Sequence, residues 1–419
     1  MSPTFRALAH RNYRLYATGG VISNTGTWMQ RVAQDWLVLQ LTHNNGTALG
    51  ITTGLQFLPI LLLSPYAGAV ADRFPKRRLL QLAQVAMMIP AIILGVLAIT
   101  GVAQQWQVYA IALMFGVATA FEAPVRQAFV SELVGPEDLS NAVGLNSASF
   151  NIGRIVGPAL AGLLIAALGS GVQATGAVIL INAASYAAVL AALQAMSGGR
   201  LVSDVPAVDR RGRVRQGIRY VRSRPDLMLI LFVMFFVGTF GLNFQLTSAL
   251  MATEVYGKGA GEYGILGSTM ALGSIAGALL AARRESPRLR LVVAAAVCFC
   301  VVEIVIALMP TYLSFVVLTP LLGITALTTI TAANTVMQLT TPAELRGRVM
   351  ALYLMVFMGG TPIGSPLVGW VGQTFGARWS LIGGGAVALV GTLVCVAVFM
   401  RSGRKADETE REESLVAAA

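Results

Sequence analysis

The chain has 419 residues, of which 56% are apolar and only 12% are charged. Soluble domains carry about 25% charged residues, so this composition excludes an ordinary soluble protein. The formal net charge of +11 would suggest nucleic acid as a partner of a soluble chain, but here the cations flank apolar runs. We therefore predict that the partner is a lipid bilayer and that no nucleic acid is bound.

Apolar runs long enough to cross a membrane follow one another along the chain. A membrane-spanning helix needs about 20 such residues, and runs that are continuous instead of alternating with a period of two favour helices. The first run is too long for a cleavable signal peptide. The twelve predicted spans lie near 13–40, 48–71, 79–100, 106–129, 141–168, 174–196, 226–253, 262–282, 290–309, 312–339, 346–374 and 379–400. The predicted fold class is an all-α polytopic membrane protein.

Arginine marks one side of this predicted bundle. Of the 30 basic residues 27 are Arg, and most lie in alternate connections, which is typical of cytoplasmic loops. Both termini are then cytoplasmic. The chain divides into an N-terminal half at 1–196, an Arg-rich linker at 197–224, a C-terminal half at 225–400 and an acidic tail at 401–419, which is predicted to be disordered. Part of the linker is either an amphipathic helix on lipid headgroups or a solvated connection.

The first span carries a polar face. Asn24, Trp28, Arg31 and Asp35 follow one another at spacings of four, three and four, which aligns them on one side of a helix. A charge inside a span must be paired or face water. We interpret Arg31 and Asp35 either as a functional pair that faces a cavity or as a structural ion pair.

Two later spans of the N-terminal half also carry charges. In the fourth span Glu122 is followed four residues later by Arg126, which either lines the cavity or extends toward the headgroups. In the fifth span Arg154 lies near the middle, and we predict that it lines the cavity or pairs with Glu122 or Asp35. These residues complete the predicted site for substrate and proton coupling.

A weak internal repeat relates the two halves. P-E-D-L-S-N-A-V from Pro136 has a counterpart in P-A-E-L-R-G-R-V from Pro342, 206 residues later. An even number of spans separates the copies, so both have the same orientation, which predicts parallel six-helix repeats with a binding site between them. After the first copy come Gly157, Pro158 and Gly162, a helix-packing motif that favours close helix contact and a bend.

The short connection between the second and third spans contains the most specific motif. One acid and four cations within seven residues cannot lie in hydrocarbon, where a central charge costs about 2.5–3.5 kcal/mol. The pattern G-x-x-x-D-R-x-x-x-R-R is supplied by Gly68, Asp72, Arg73, Arg77 and Arg78. With twelve spans and a repeat, the chain resembles the major facilitator superfamily. R-N-Y-R-L-Y from Arg11 and F-E-A-P-V-R-Q-A from Phe121 are similar to its bacterial enterobactin, macrolide and multidrug exporters.

The resemblance implies the major facilitator fold, the bacterial inner membrane as location and a monomer. It also implies that Asp72, in the gating loop, approaches the cytoplasmic amino end of the eleventh helix near 342–347 and holds that face closed. The second half has Ala281 and Ala282 where its own copy of the motif would carry an acid and an Arg, so we expect a one-sided latch. By the same resemblance Glu303 belongs to the outer ring of helices.

These observations predict a transporter and not an enzyme. The spans contain no Ser/His/Asp, Cys/His or metal-ligand arrangement, and no phosphate-binding glycine loop with Lys is present to use ATP. We therefore predict no cofactor and no metal, with the proton gradient as the energy source. The leading hypothesis is a proton-coupled exporter of a small amphipathic molecule. The alternatives are a dedicated exporter of one metabolite such as a siderophore, and a membrane enzyme or scaffold.

Overall fold

Long α-helices with short connections form most of the part that the computed structural model describes, which is residues 3–196, 213–283 and 288–418. The N-terminal half consists of α1 (Arg11–Leu41), α2 (Gly46–Arg73), α3 (Lys76–Ile99), α4 (Gln105–Leu133), α5 (Pro136–Ala167) and α6 (Val172–Ala195). The later elements are α7 (Arg213–Arg222), α8 (Pro225–Phe236), α9 (Phe244–Leu250), α10 (Ala260–Ala282), α11 (Leu289–Ala307), α12 (Tyr312–Leu339), α13 (Ala343–Gly359), α14 (Thr361–Phe375) and α15 (Ala377–Ala418).

The predicted twelve spans are confirmed. Within the described ranges, eleven segments are long and apolar enough to cross a bilayer. The twelfth is α1, whose 31 residues exceed the length that a bilayer requires and whose polar face lowers its mean hydropathy. It lies against α5 and α6. The protein is therefore a multi-pass membrane protein with an all-α fold.

Two spans are interrupted helices. The seventh, Pro225–Val255, contains π-helical segments at Val237–Gly241 and Met251–Val255 on either side of α9. The eleventh is divided between α13 and α14 at Gly360. Such breaks are tolerated inside a membrane where the neighbouring helices cover the backbone. Here the Asn243 amide donates to the carbonyl of Thr239 at 2.9 Å, which satisfies part of the first break.

Two equivalent contacts join the halves. The second span, α2, packs on α14 of the eleventh, and the fifth, α5, packs on α10 of the eighth. Exchanging the halves converts one pair into the other, because the second span corresponds to the eighth and the fifth to the eleventh. This is the contact pattern of two repeats around an axis along the membrane normal. The predicted parallel repeat is confirmed by this arrangement.

The halves meet away from the arginine-rich side of the bundle. We call the side that carries α7 and the connection between α2 and α3 the basic face, and the opposite side the neutral face. A Cβ added to Gly50 of α2 would lie 2.3 Å from the Ser365 carbonyl oxygen, and one added to Gly264 of α10 would lie 2.3 Å from that of Pro158. Both contacts lie in the parts of the helices nearer the neutral face, so the bundle is closed there.

The structure describes the linker and the tail only in part. Residues 197–212 lie outside the described residues, but α7 forms the helix predicted for the end of the linker. Val221 of α7 is buried against the C-terminal half, so this helix packs on the protein. The last helix, α15, continues to Ala418, although composition predicts disorder there. Its side chains beyond 401 are outside the described residues, and the disorder stays a prediction.

Candidate functional site

The predicted polar face of α1 is directed toward α5 and, at Asp35, toward α10 of the other half. Trp28 and Arg31 are half-buried and Asp35 is 6% exposed. Asn24, one turn nearer the basic face, donates from its amide to the Ser149 hydroxyl of α5 at 2.9 Å. The helical spacing of these residues thus brings all four to one side of α1, as predicted from the sequence.

Trp28 is the centre of this site. The guanidinium carbon of Arg31 lies 5.0 Å from the centroid of the Trp28 ring and 5.7 Å from that of Phe57 on α2. The guanidinium carbon of Arg154 on α5 lies 5.9 Å from the same indole. Phe150 contacts Trp28 edge to face at 5.7 Å. Two helices, α1 and α5, therefore bring two cations to one aromatic side chain, an arrangement that cation–π attraction stabilises.

Asp35 connects the two halves. The Tyr263 hydroxyl of α10 donates a hydrogen bond of 3.0 Å to Oδ2 of Asp35, and Trp36 stacks on the Tyr263 ring at 6.3 Å. Among the described ion pairs none within 4.0 Å joins Arg31 to Asp35. The carboxylate at the neutral end of the site is thus satisfied by the opposite half of the bundle.

Glu122 and Arg126 form an ion pair within α4. Nε of Arg126 lies 2.9 Å from Oε1 of Glu122, across one helical turn. Glu122 is buried, and its partner on the same helix neutralises it locally. Arg154 lies beside Trp28 and, within the part of the chain described, pairs with neither Glu122 nor Asp35. The structure shows neither predicted pairing of Arg154 among the described residues, and its predicted role in lining the cavity stays a prediction.

The helix-packing motif of α5 holds this site in place. A Cβ added to Gly157 would lie 2.6 Å from Cβ of Trp28, so this glycine allows α1 to approach. The next residue, Pro158, contacts Gly264, and about one turn further Gly162 contacts Ala260, both on α10. The motif thus positions Trp28 and closes the halves on one another, which agrees with the packing role predicted for it.

The predicted gating loop is mostly helical. Gly68, Asp72 and Arg73 belong to the last turns of α2, and α3 begins at Lys76, so Phe74 and Pro75 alone connect them. Proline lacks a backbone N–H and suits a helix start, which explains the short connection. The first residues of α3 contact other helices of the N-terminal half. Lys76 forms an ion pair with Glu132, and Arg77 donates a hydrogen bond of 3.2 Å to the Gln194 carbonyl.

The three arginines of the motif differ in solvent exposure. Arg73 and Arg78 are exposed on the basic face, and Arg77 is half-buried. The side chain of Asp72 lies outside the described residues, so the predicted contact with the start of the eleventh span stays a prediction.

Glu303 is the most enclosed carboxyl group of the C-terminal half that the structure describes. It is 1% exposed, and its Oε2 atom has no hydrogen-bond partner among the described residues. A Cβ added to Gly241 would lie 3.2 Å from this oxygen and one added to Gly385 would lie 3.3 Å from it. Glycines of two neighbouring spans therefore make room for the group, and its place in the outer ring of helices stays a prediction.

Residues that sequence reasoning missed come from other helices. Tyr263 and Phe57 contact the site across distances that no local spacing encodes. The amide of Asn182 on α6 donates to Gln30 on the opposite side of α1, and this buried pair fixes α1 against α6. A separate cavity of about 460 Å³ between α3 and α4 has an apolar lining that includes Leu82 and Met114, so it is not this site.

The comparisons with known proteins agree with this architecture. The model of the family described as transmembrane secretion effector matches residues 2–418. The multidrug efflux pump Tap of Mycolicibacterium fortuitum is 27% identical over 92% of this chain and 94% of that protein. The enterobactin exporter EntS of Salmonella typhimurium is 23% identical over 87% and 86%. The staphyloferrin A transporter of Staphylococcus aureus is 37% identical, but over 34% of this chain and 36% of that protein.

Solved structures confirm the fold. A bacterial homologue of the lysosomal transporter Spinster, in an inward-facing and unoccupied conformation, superposes with a TM-score of 0.71 over 94% of this chain and 97% of that chain, at 15% identity. An inward-facing bacterial homologue of ferroportin gives 0.71 over 93% and 98%, also at 15% identity. The chain therefore belongs to the transmembrane secretion effector family of the major facilitator superfamily, whose members are transporters and not enzymes.

Proposed function

We propose that the protein is a proton-coupled exporter that moves a small amphipathic molecule out of the cytoplasm by alternating access. The observation that carries this proposal is the hydrogen bond from Tyr263 to Asp35, because it links an ionisable group of the central site to closure of the neutral face. We assign the basic face to the cytoplasm from its arginines and expect the protein to work as a monomer in the bacterial inner membrane.

The coupling follows from the surroundings of Asp35. An ionised carboxylate inside a membrane protein needs a hydrogen-bond donor or water, since an unpaired buried charge is costly. In the closed arrangement Tyr263 supplies that donor. When the halves separate at the neutral face this donor is withdrawn, and the carboxylate meets the external solution, from which it takes a proton. After the neutral face has closed, release of the proton to the cytoplasm restores the ionised acceptor for Tyr263, which stabilises the closed arrangement.

The direction of transport and the substrate range are supported by the relatives. Among the proteins to which the chain is similar are a multidrug efflux pump and an enterobactin exporter, both matched over most of their lengths. The half-buried aromatic and cationic side chains around Trp28 suit an amphipathic molecule. We therefore place the substrate between the halves, against α1 and α5.

Flux in proteoliposomes tests this function. Purified protein is reconstituted with an imposed pH gradient and offered tetracycline, a macrolide, enterobactin and staphyloferrin A. We expect at least one compound to accumulate against its own gradient in the wild type. Asp35→Asn keeps an acceptor for Tyr263 but cannot release a proton, so it should lose accumulation and retain exchange of labelled for unlabelled substrate.

Two further outcomes decide between coupling schemes. Glu122→Gln serves as the comparison, because Glu122 is paired with Arg126 inside α4. If Asp35→Asn and Glu122→Gln both accumulate substrate as well as the wild type, proton coupling through these acids is wrong. Transport that is independent of the pH gradient in the wild type would indicate a uniporter instead.

A dedicated siderophore exporter is the second candidate. The observation in its favour is the 37% identity to the staphyloferrin A transporter, which exceeds the 27% identity to Tap although it covers 142 residues. Profiling the compounds that cells secrete before and after deletion of the gene separates the two. Loss of one iron-binding metabolite with unchanged drug resistance would favour the dedicated exporter.

A further inference from the structure

We propose that Arg31 and Arg154 form a subsite for a carboxylate, and that Trp28 holds the flat or aromatic body which carries it. The substrate class of this transporter is then an aromatic or similarly flat organic anion. This inference rests on the proposed function, because it names what the central site binds. It adds a preference for a negatively charged substrate, whereas the proposed function leaves the charge of the substrate open.

The hydrogen-bond partners of the charged side chains are the first argument. The predicted site contains five charged side chains, and three of them have a hydrogen-bond partner within the protein. Glu122 pairs with Arg126, and Asp35 accepts from Tyr263. Arg31 and Arg154 remain, and within the described residues neither has a carboxylate within 4.0 Å or donates a hydrogen bond to a protein acceptor.

A guanidinium group is rarely left in this condition inside a membrane. It offers five N–H donors in a planar fork that fits a carboxylate, and it cannot be deprotonated in proteins. Cation–π contact with Trp28 offsets part of the cost of burial, but it leaves the guanidinium N–H groups without hydrogen-bond acceptors among the described residues. An anion that enters the site would accept from these N–H groups and reduce the repulsion between the two cations.

The depth of the two arginines excludes a lipid headgroup as the anion. Arg31 lies ten residues before the end of α1 and Arg154 thirteen before the end of α5. At a rise of 1.5 Å per residue they lie about 15 and 20 Å from the neutral ends of these helices. The hydrocarbon layer is about 30 Å thick, so both are near its middle and away from the headgroups of either leaflet.

The aromatic side chains determine what the anion is attached to. Phe57 lies beside Arg31, and Phe150, which is 38% exposed, meets the edge of Trp28. A carboxylate between the guanidinium groups would have these rings next to its carbon atoms. A flat apolar or aromatic body therefore fits, whereas a small hydrophilic anion would leave the rings uncovered.

Isothermal titration calorimetry with matched probes tests the subsite in detergent-purified full-length protein. The probes are 2-naphthoate, the neutral 2-naphthamide and the cationic 2-naphthylmethylammonium, which share a ring system and differ in charge. We expect 2-naphthoate to bind at least about tenfold more tightly than either of the others. Arg31→Gln and Arg154→Gln should each remove this preference, and Arg31→Lys, which keeps the charge, should retain most of it.

The control variant is Arg222→Gln, which removes a cation from the exposed surface of α7. It should leave the affinity for 2-naphthoate unchanged, and thermal unfolding of each variant shows whether it folds. Equal binding of the three probes overturns the proposal, as does a charge preference that survives in folded Arg31→Gln and Arg154→Gln.

Failure of the subsite and failure of the proposed function are distinguishable, because the titration needs neither a gradient nor transport. Selective binding of 2-naphthoate without gradient-driven flux of any compound contradicts the exporter alone. Gradient-driven flux by a protein that prefers the ammonium probe contradicts the subsite alone.

Discussion

Tyr263 and Asp35 are 228 positions apart in sequence, yet the hydroxyl of one donates a hydrogen bond of 3.0 Å to the carboxylate of the other. The bond crosses from α10 to α1 and therefore from one half of the transporter to the other. It lies in the same region as the close backbone contacts of α5 with α10. The acid of the central site thus participates directly in closing the neutral face.

Tyr263→Phe should open the neutral face more often. It leaves a buried carboxylate without its donor in the closed state only, a loss of about 1–3 kcal/mol, so the ratio of closed to open molecules should fall about fivefold or more. Double electron–electron resonance between nitroxides at His43 and Lys258, in the neutral connections of the two halves, measures this. Tyr312→Phe is a matched control, because that hydroxyl donates to Glu262 within the C-terminal half. Identical distance distributions for wild type and Tyr263→Phe would show that this hydrogen bond does not hold the neutral face closed.

Gly264→Ala should destabilise the same closure by steric contact. The new Cβ would lie 2.3 Å from the Pro158 carbonyl oxygen, and backbone atoms cannot move aside without shifting a helix. Overpacking of this kind costs about 1–3 kcal/mol. Gly20→Ala is the control, since nothing lies within 4 Å of its added Cβ. We expect a lower thermal unfolding temperature and a longer distance between the His43 and Lys258 labels for Gly264→Ala alone.

Most of the fold could be predicted from the sequence because a bilayer imposes length and apolarity on every span. The exceptions show what hydropathy leaves out. Asp72 and Arg73 are charged and read as part of a loop, but they continue α2, and the Arg73 side chain is exposed on the basic face. The π-helical break at Val237–Gly241 occurs inside an apolar run, and nothing in the composition of that run indicates it.

The site was partly predictable for a similar reason. Helical spacing fixes which residues share a face, so Trp28, Arg31 and Asp35 could be grouped in advance. The pairing of Glu122 with Arg126 also follows from a spacing of four, although the sequence also allows Arg154 as the partner of Glu122. The contact of Asp35 with Tyr263 depends on how two halves dock, which local spacing does not encode.

Glu303→Gln should leave the protein as stable as the wild type. Glu303 is buried without a cationic partner among the described residues, so an amide of the same shape loses no ion pair. Glu303→Ala should lower the thermal unfolding temperature, because it leaves a cavity, typically about 2–5 kcal/mol for a large side chain. Gly384→Ala should do the same, since its Cβ would lie 2.5 Å from the Phe240 carbonyl oxygen. A drop of several degrees for Glu303→Gln would show that the carboxylate has an essential ionic role.

Asp72→Asn should slow turnover and leave substrate binding intact. Asp72 lies in the last turn of α2, on the basic face of the bundle. Helix α13 begins at Ala343 on that same face, so the amino end of α13 presents a partial positive charge there. We expect the carboxylate to reach that end only when the neutral face opens and the basic face closes. The attraction of an anion to a helix terminus is about 0.3–1 kcal/mol at an exposed site, which predicts a few-fold loss of gradient-driven flux with unchanged equilibrium affinity. Arg78→Gln is the comparison, because it removes a charge that is exposed on the basic face and keeps the Asp72 carboxylate. Normal flux in Asp72→Asn would remove the latch from the mechanism.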